Sequence, residues 1–209
     1  MYEPAHVLRT SASDRSAFTV GELSGMSTPR VQALADVLSA VGPTKVTTNI
    51  WGERWAKLAT NAMANAVCSL TAIGSAAVRT TPDVVDVSIR IAAEVVNVGK
   101  ALGVEVEPIS GIPAETYQRA DDAQVMEEIK TRLAEGAGQL GEGRPSMYQD
   151  VLKGRRTEIE YLNGYVASRG AEVGIEASAN RAITGLLKRV ERGDLKPDLA
   201  NIKHMEQFI

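Results

Sequence analysis

Six apolar residues, Val84, Val87, Ile91, Val95, Val98 and Leu102, recur at intervals of three and four after a Thr81-Pro82-Asp83 start and before Gly103. That spacing places them on one face of a helix of about five turns. Pro just inside the start and Gly just past the end mark its limits. An apolar stripe of this length must be covered, so the remaining chain is expected to pack as helices around it or to bring a partner to it.

Other segments supply the covering. Thr28-Pro29 opens a helix with an inward stripe of Val31, Leu34, Ala35, Leu38 and Val41, ended by Gly42-Pro43. Helical patterns also run over Ile50–Ala66, with a small-residue segment Cys68–Ala77 behind it, and over Pro113 to about Glu135. A Gly-rich loop leads to Pro145, and Ser146–Lys153, Glu158–Arg169, Asn180–Glu191 and a short piece near Leu199–Gln207 follow. The first residues differ. His6–Thr10 and Ala17–Gly21 read as short strands around a polar turn, Ser11–Ser16, and Lys45–Thr48 as one more strand. Two strands alone are marginal in water. This piece is therefore expected to be the tail of a sheet whose other strands are absent or come from another chain. The reading is a mainly α protein, with a short β-containing piece over 1–49 and a multi-helical domain over 50–209.

Composition narrows the function. The 209 residues carry a net charge of −3, and Lys and Arg are dispersed, so no basic footprint for nucleic acid is present. Leu58–Val78 is the span closest to a membrane helix, but Thr60, Asn61, Asn65 and Ser69 interrupt it, and a buried core helix is expected. The first residues, Met-Tyr-Glu-Pro-Ala-His, have no basic and apolar leader pattern, so no signal peptide is expected. One cysteine, Cys68, excludes a disulfide within the chain and fits a reducing cytoplasm, and two isolated histidines exclude a His-based metal cluster. Gly136-Ala137-Gly138-Gln139-Leu140-Gly141 satisfies G-x-G-x-x-G. A charged helical run precedes it and Pro145 follows, whereas a dinucleotide fingerprint needs a strand before and a helix after, so an inter-helix loop is expected.

Two polar constellations remain. Lys57, Asn61 and Asn65 stand at i, i+4 and i+8, one stripe of a helix beside Leu58 and Ala62. An ammonium and two carboxamides there can grip an oxygen-rich small molecule, or simply form a polar face that meets water. Ser146 follows Pro145 at a helix start, where an anion is favoured, and Glu158 begins the next helix after Gly154. On residues alone, a capping Ser and a capping Glu are the favoured explanation.

Taken together, the blocks are distinctive. Lys57-Leu58-Ala59-Thr60-Asn61 with Asn65, then Ser146-Met147-Tyr148-Gln149-Asp150, then Thr157-Glu158-Ile159-Glu160-Tyr161-Leu162-Asn163-Gly164, resemble the C-terminal helical domain of the ketopantoate reductase (2-dehydropantoate 2-reductase) family, in order and in separation. The resemblance extends roughly over 15–195, and Gly174–Asn180 is similar to that family's final loop, with Ser178 where Pro is common. It implies NADPH-dependent reduction of a 2-oxo acid to a 2-hydroxy acid. Exposed strand edges at 6–20 and the long apolar helix at 82–102 both favour association, so a homodimer through the helices is expected. Lys57 matches the general-acid lysine, Asn61 and Asn65 the amides that hold substrate oxygens, Ser146 the hydroxyl that meets the substrate carboxylate, and Glu158 the carboxylate that orients the lysine or a substrate hydroxyl. A lysine that surrenders a proton is helped by a dry site.

The departures matter as well. The family carries its nucleotide-binding βαβ units ahead of these blocks, and this chain starts about where the last strands of that domain would be, so residues 1–49 are expected to be its remnant and the NADP site largely missing. Asn65-Ala66-Val67-Cys68 replaces the common Asn-Pro, which allows a different branched 2-oxo acid. A non-catalytic helical module that binds ligand or dimerises is the alternative.

Overall fold

The computed structural model describes residues 2–3, 6–7, 16–140 and 143–208. They fall into two units, 1–53 and 54–209.

In the first unit, β1 (Tyr2–Glu3) and β2 (His6–Val7) pair antiparallel, while β3 (Phe18–Val20) and β4 (Thr44–Val46) pair parallel in the register Phe18↔Thr44 to Val20↔Val46. Between β3 and β4 lies α1 (Pro29–Ser39), with Thr28 Oγ1 accepting from the Val31 N–H at its start. Parallel strands need such a crossover. The two early strands do not pair with each other: His6–Val7 pairs with Tyr2–Glu3 and β3 with β4, and residues 8–15 of the expected strand and turn lie outside the described residues. The inward stripe of α1 is narrower than its spacing suggests. Val31 and Ala35 are buried, but Leu34 and Val41 are exposed, because a sheet of two short strands covers only one edge of the helix. Gly21 is required where β3 leaves the sheet, since a Cβ there would lie 2.5 Å from the Thr47 carbonyl oxygen.

The second unit is helical. α2 (Ile50–Thr71) runs past the expected end near Ala66. Its late polar residues do not break it, because Ser69 Oγ donates to the Asn65 carbonyl and Thr71 Oγ1 to that of Val67, satisfying both hydroxyls inside the helix. Ala72 then turns the chain at φ 61°. After α3 (Ser75–Val78) comes α4 (Val84–Ala101), the helix around which the unit is built. Val85, Ile89 and Val96 are buried along with the expected Val84, Val87, Ile91, Val95 and Val98, so α4 is covered on several faces by the chain itself. Its apolar surface needs no second copy to hide it.

The expected single helix from Pro113 to Glu135 is two, α5 (Ala114–Gln118) and α6 (Ala123–Glu135). Asp122 causes the restart, its carboxylate accepting from the N–H groups of Gln124 and Val125. The Gly-rich match continues as a 3₁₀ turn, Ala137–Gln139, directly behind α6 with no strand before it, and Gly141 lies outside the described residues. α7 is Ser146–Leu152. The expected helix Glu158–Arg169 is split into a 3₁₀ turn, Ile159–Tyr161, and α8 (Asn163–Glu172), with the break at Leu162 (φ −105°, ψ −94°). α9 (Ser178–Glu191) and a 3₁₀ segment, Leu199–Phe208, complete the unit. No helix among the described residues is long and apolar enough to cross a membrane.

Candidate functional site

The stripe on α2 dives into the second unit. Lys57 is exposed, Asn61 half-buried and Asn65 buried, over about 12 Å of helix rise. All three border a partly open cavity of about 160 Å³. Met63, Ala64, Val78, Val85, Leu133 and Leu140 give it apolar walls. Polar groups therefore enter it at few points, which lets them fix the orientation of a ligand. Lys57 itself is exposed, not in the dry setting that helps a lysine surrender a proton.

Two residues of this cavity carry no signal in the family motifs. Arg79, just after α3, is half-buried, and burial pushes its guanidinium below its ordinary value. Its Nη2 donates to Ser110 Oγ at 2.9 Å, and its Nη1 lies close to Gly136 at the end of α6, 3.0 Å from where a Cβ there would be. No carboxylate among the described residues pairs with it. Ser88 on α4 is 0% exposed, and its Oγ has no hydrogen-bond partner. The cavity lining thus holds two cations, Lys57 and Arg79, and no acid. The only sequence hint of Arg79 was a lone cation ending the small-residue run from Gly74.

Ser146 and Glu158 form a pair of their own. Ser146 Oγ lies 3.2 Å from Glu158 Oε1, and both side chains are exposed. Ser146 is the first residue of α7 and Glu158 stands at the N-cap of the 3₁₀ turn, and neither side chain makes a capping hydrogen bond. Neither is among the residues that line the cavity, so the five expected site residues stand as a group of three and a group of two. The groups are tied through the backbone of α2. Tyr148 of α7 donates its hydroxyl to the Ala72 carbonyl at 3.1 Å, and Asn163 of α8 donates to the Ala62 carbonyl at 3.2 Å. Cys68, on the same helix, is buried, and desolvation pushes its thiol up to about 11. Among the described residues no cluster of three His, Cys, Asp or Glu is arranged to hold a metal ion.

This arrangement, an ammonium at the mouth of an apolar cavity and amides along one wall, is carried by a stretch that aligns with known proteins. Residues 49–191 match the family described as Ketopantoate reductase PanE/ApbA C terminal. The chain belongs to this family. Within the ketopantoate reductases it is similar to the 2-dehydropantoate 2-reductase of Archaeoglobus fulgidus, at 29% identity over 175 residues, 83% of this chain and 52% of the relative. The chain spans about half the length of the curated relatives it matches. Among solved structures it superposes on a PanE/ApbA family ketopantoate reductase from Ralstonia eutropha JMP134 with a TM-score of 0.65 and 25% identity, over 86% of this chain and 53% of that one. A D-mandelate dehydrogenase in complex with NADH shares the fold, with a TM-score of 0.68 at 23% identity over 84% of this chain and 54% of that one. The mainly helical fold expected from the sequence is that of this family.

Proposed function

We propose that the helical unit, 50–209, is the substrate side of a ketopantoate reductase-like oxidoreductase, which reduces 2-dehydropantoate or a related 2-oxo acid to the 2-hydroxy acid with NADPH. The observation that supports it most is the graded stripe of Lys57, Asn61 and Asn65 bordering a cavity with two cations and no acid. A 2-oxo acid is a small anion with a reactive carbonyl oxygen. In this reading the Lys57 ammonium donates a hydrogen bond to that oxygen and gives it a proton as the carbon receives hydride. Asn61 and Asn65 fix the oxygens by their N–H donors, and the apolar wall takes the alkyl end. Glu158 and Ser146 act as one unit, a carboxylate and the hydroxyl that donates to it, oriented toward the lysine or a substrate hydroxyl.

NADP, when bound, supplies the hydride. The described residues include no Gly-rich β–α turn of the kind that cradles a pyrophosphate. In the β3–α1 loop, Glu22 is buried and paired with Arg30 and Thr28. The parallel β3–α1–β4 unit supports reading residues 1–49 as part of a nucleotide-binding domain, without supplying its phosphate site. That same observation favours the second reading, a non-catalytic ligand-binding or dimerisation module. A homodimer is proposed through the exposed apolar residues of the second unit, Leu152, Tyr161, Tyr165 and Leu199, and a reducing cytoplasm as its compartment.

Thermal denaturation with 2-dehydropantoate, pantoate and NADPH tests the reading. The 2-oxo acid should raise the midpoint, and Lys57→Ala should remove most of the rise. Failure of any 2-oxo or 2-hydroxy acid to protect the chain contradicts it. NADPH oxidation in the presence of 2-dehydropantoate then separates the enzyme from the binding module.

A further inference from the structure

We propose that Glu191, the last residue of α9, is a positioning residue for Glu158: acting through Thr157, it fixes the backbone that aims the Glu158 carboxylate. This rests on the reading of Ser146 and Glu158 as part of the 2-oxo acid site.

Three observations lead there. First, Glu191 stands where its own helix disfavours it. The C-terminal end of a helix carries partial negative charge, and Lys188 and Arg189 of the same turn are the residues that suit it. The Glu191 carboxylate reaches instead to the loop before the 3₁₀ turn. There Oε1 accepts from the Thr157 N–H at 2.7 Å and from Thr157 Oγ1 at 2.6 Å. Second, Thr157 passes the restraint to both sides of Glu158. It is buried, and its Oγ1, while donating to Glu191, accepts from the Ile159 N–H at 3.3 Å. The Glu158 carbonyl in turn accepts from the N–H groups of Tyr161 and Leu162. Third, the Glu158 carboxylate keeps its charge. Arg156 and Lys188 both pair with Glu160, two residues on, and no cation among the described residues pairs with Glu158. Its side chain is exposed and meets the Ser146 hydroxyl.

A fixed backbone under a free carboxylate is what a group needs to meet a ligand at a set angle. Glu191 itself touches no ligand. A Glu158 released from this mount keeps its charge beside an anion. It loses the direction from which it accepts a hydrogen bond from the lysine or a substrate hydroxyl.

Calorimetric titration of the full chain with 2-dehydropantoate tests this as a double-mutant cycle. Glu191→Ala should weaken binding by about fivefold or more, and in a Glu158→Ala background the same change should matter by less than about twofold. Glu191→Gln, whose carbonyl oxygen can accept both Thr157 donors, should recover most of the loss. Thr157→Val, close in shape but without the hydroxyl link, should weaken binding in the same direction and serves if Glu191→Ala does not fold. An equal loss in both backgrounds would overturn the proposal, because the effect would then not pass through Glu158. So would wild-type affinity in both Glu191→Ala and Thr157→Val while Lys57→Ala loses binding, an outcome that leaves the 2-oxo acid site intact. A wild-type chain that does not bind 2-dehydropantoate overturns both readings together.

Discussion

Asn163 and Asn180 face each other in the core, with Asn163 Nδ2 donating to Asn180 Oδ1 at 3.0 Å and both residues 0% exposed. The same Nδ2 reaches the Ala62 carbonyl of α2, and Asn180 Nδ2 donates to the Ile91 carbonyl and to Glu94 of α4. One small polar network therefore fixes α8 and α9 against both the site helix and the central helix. Asn163→Ala strands the Asn180 and Ala62 acceptors in a dry interior and is expected to cost about 3 kcal/mol. Urea unfolding reads this as a lower midpoint, and a loss below about 1 kcal/mol would mean the network contributes little.

Ala72 ends α2 in the left-handed region, at φ 61°, where its Cβ is crowded. Ala72→Gly is expected to raise stability by up to about 1 kcal/mol, offset in part by the greater freedom of glycine in the unfolded chain. The Tyr148 hydrogen bond goes to the Ala72 backbone carbonyl and survives the change. A fall in melting temperature would show that the turn is not strained.

The Cys68 thiol is buried and held up at about 11, well above 9.0, by desolvation. The thiolate is the reactive form, so Cys68 in the native chain is expected to resist alkylation at pH 8 and to react at once in denaturant. Mass spectrometry after timed iodoacetamide treatment gives the two rates, and equal rates would place the thiol in solvent.

Glu22 has the opposite shift. Hydrogen bonds from Arg30, then from Thr28, lower its carboxyl from 4.5 to about 2. A carboxyl depressed on folding stabilises the fold above its unfolded value and loses that contribution as pH falls through the folded one. The first unit should therefore weaken from about pH 4.5 downward toward 2, and Glu22→Gln should flatten that slope. Amide exchange of residues 18–46, corrected for intrinsic rates, measures it; an unchanged slope in the variant would assign the acid sensitivity elsewhere.

Much of this was legible from residue order alone. The α4 stripe, the Thr28-Pro29 start and the Lys57–Asn61–Asn65 line all depend on local spacing, and each stands where spacing puts it. The failures share a different cause. Leu34 is exposed because the sheet under α1 is only two strands wide, a tertiary fact with no trace in the helical period. The break at Leu162 serves Asn163, whose acceptors lie about 100 and 17 residues away in sequence. Arg79 and Ser88 are single common residues that only the cavity they share singles out.

The central claim is that a 2-oxo acid lies along the α2 stripe, and the side-chain amides of that stripe report on it directly. In a ¹⁵N-labelled chain titrated with 2-dehydropantoate, the NH₂ signals of Asn61 and Asn65 should shift saturably, while those of Asn97 and Gln118, outside this cavity, stay in place. Saturable binding that leaves Asn61 and Asn65 unmoved would contradict the account.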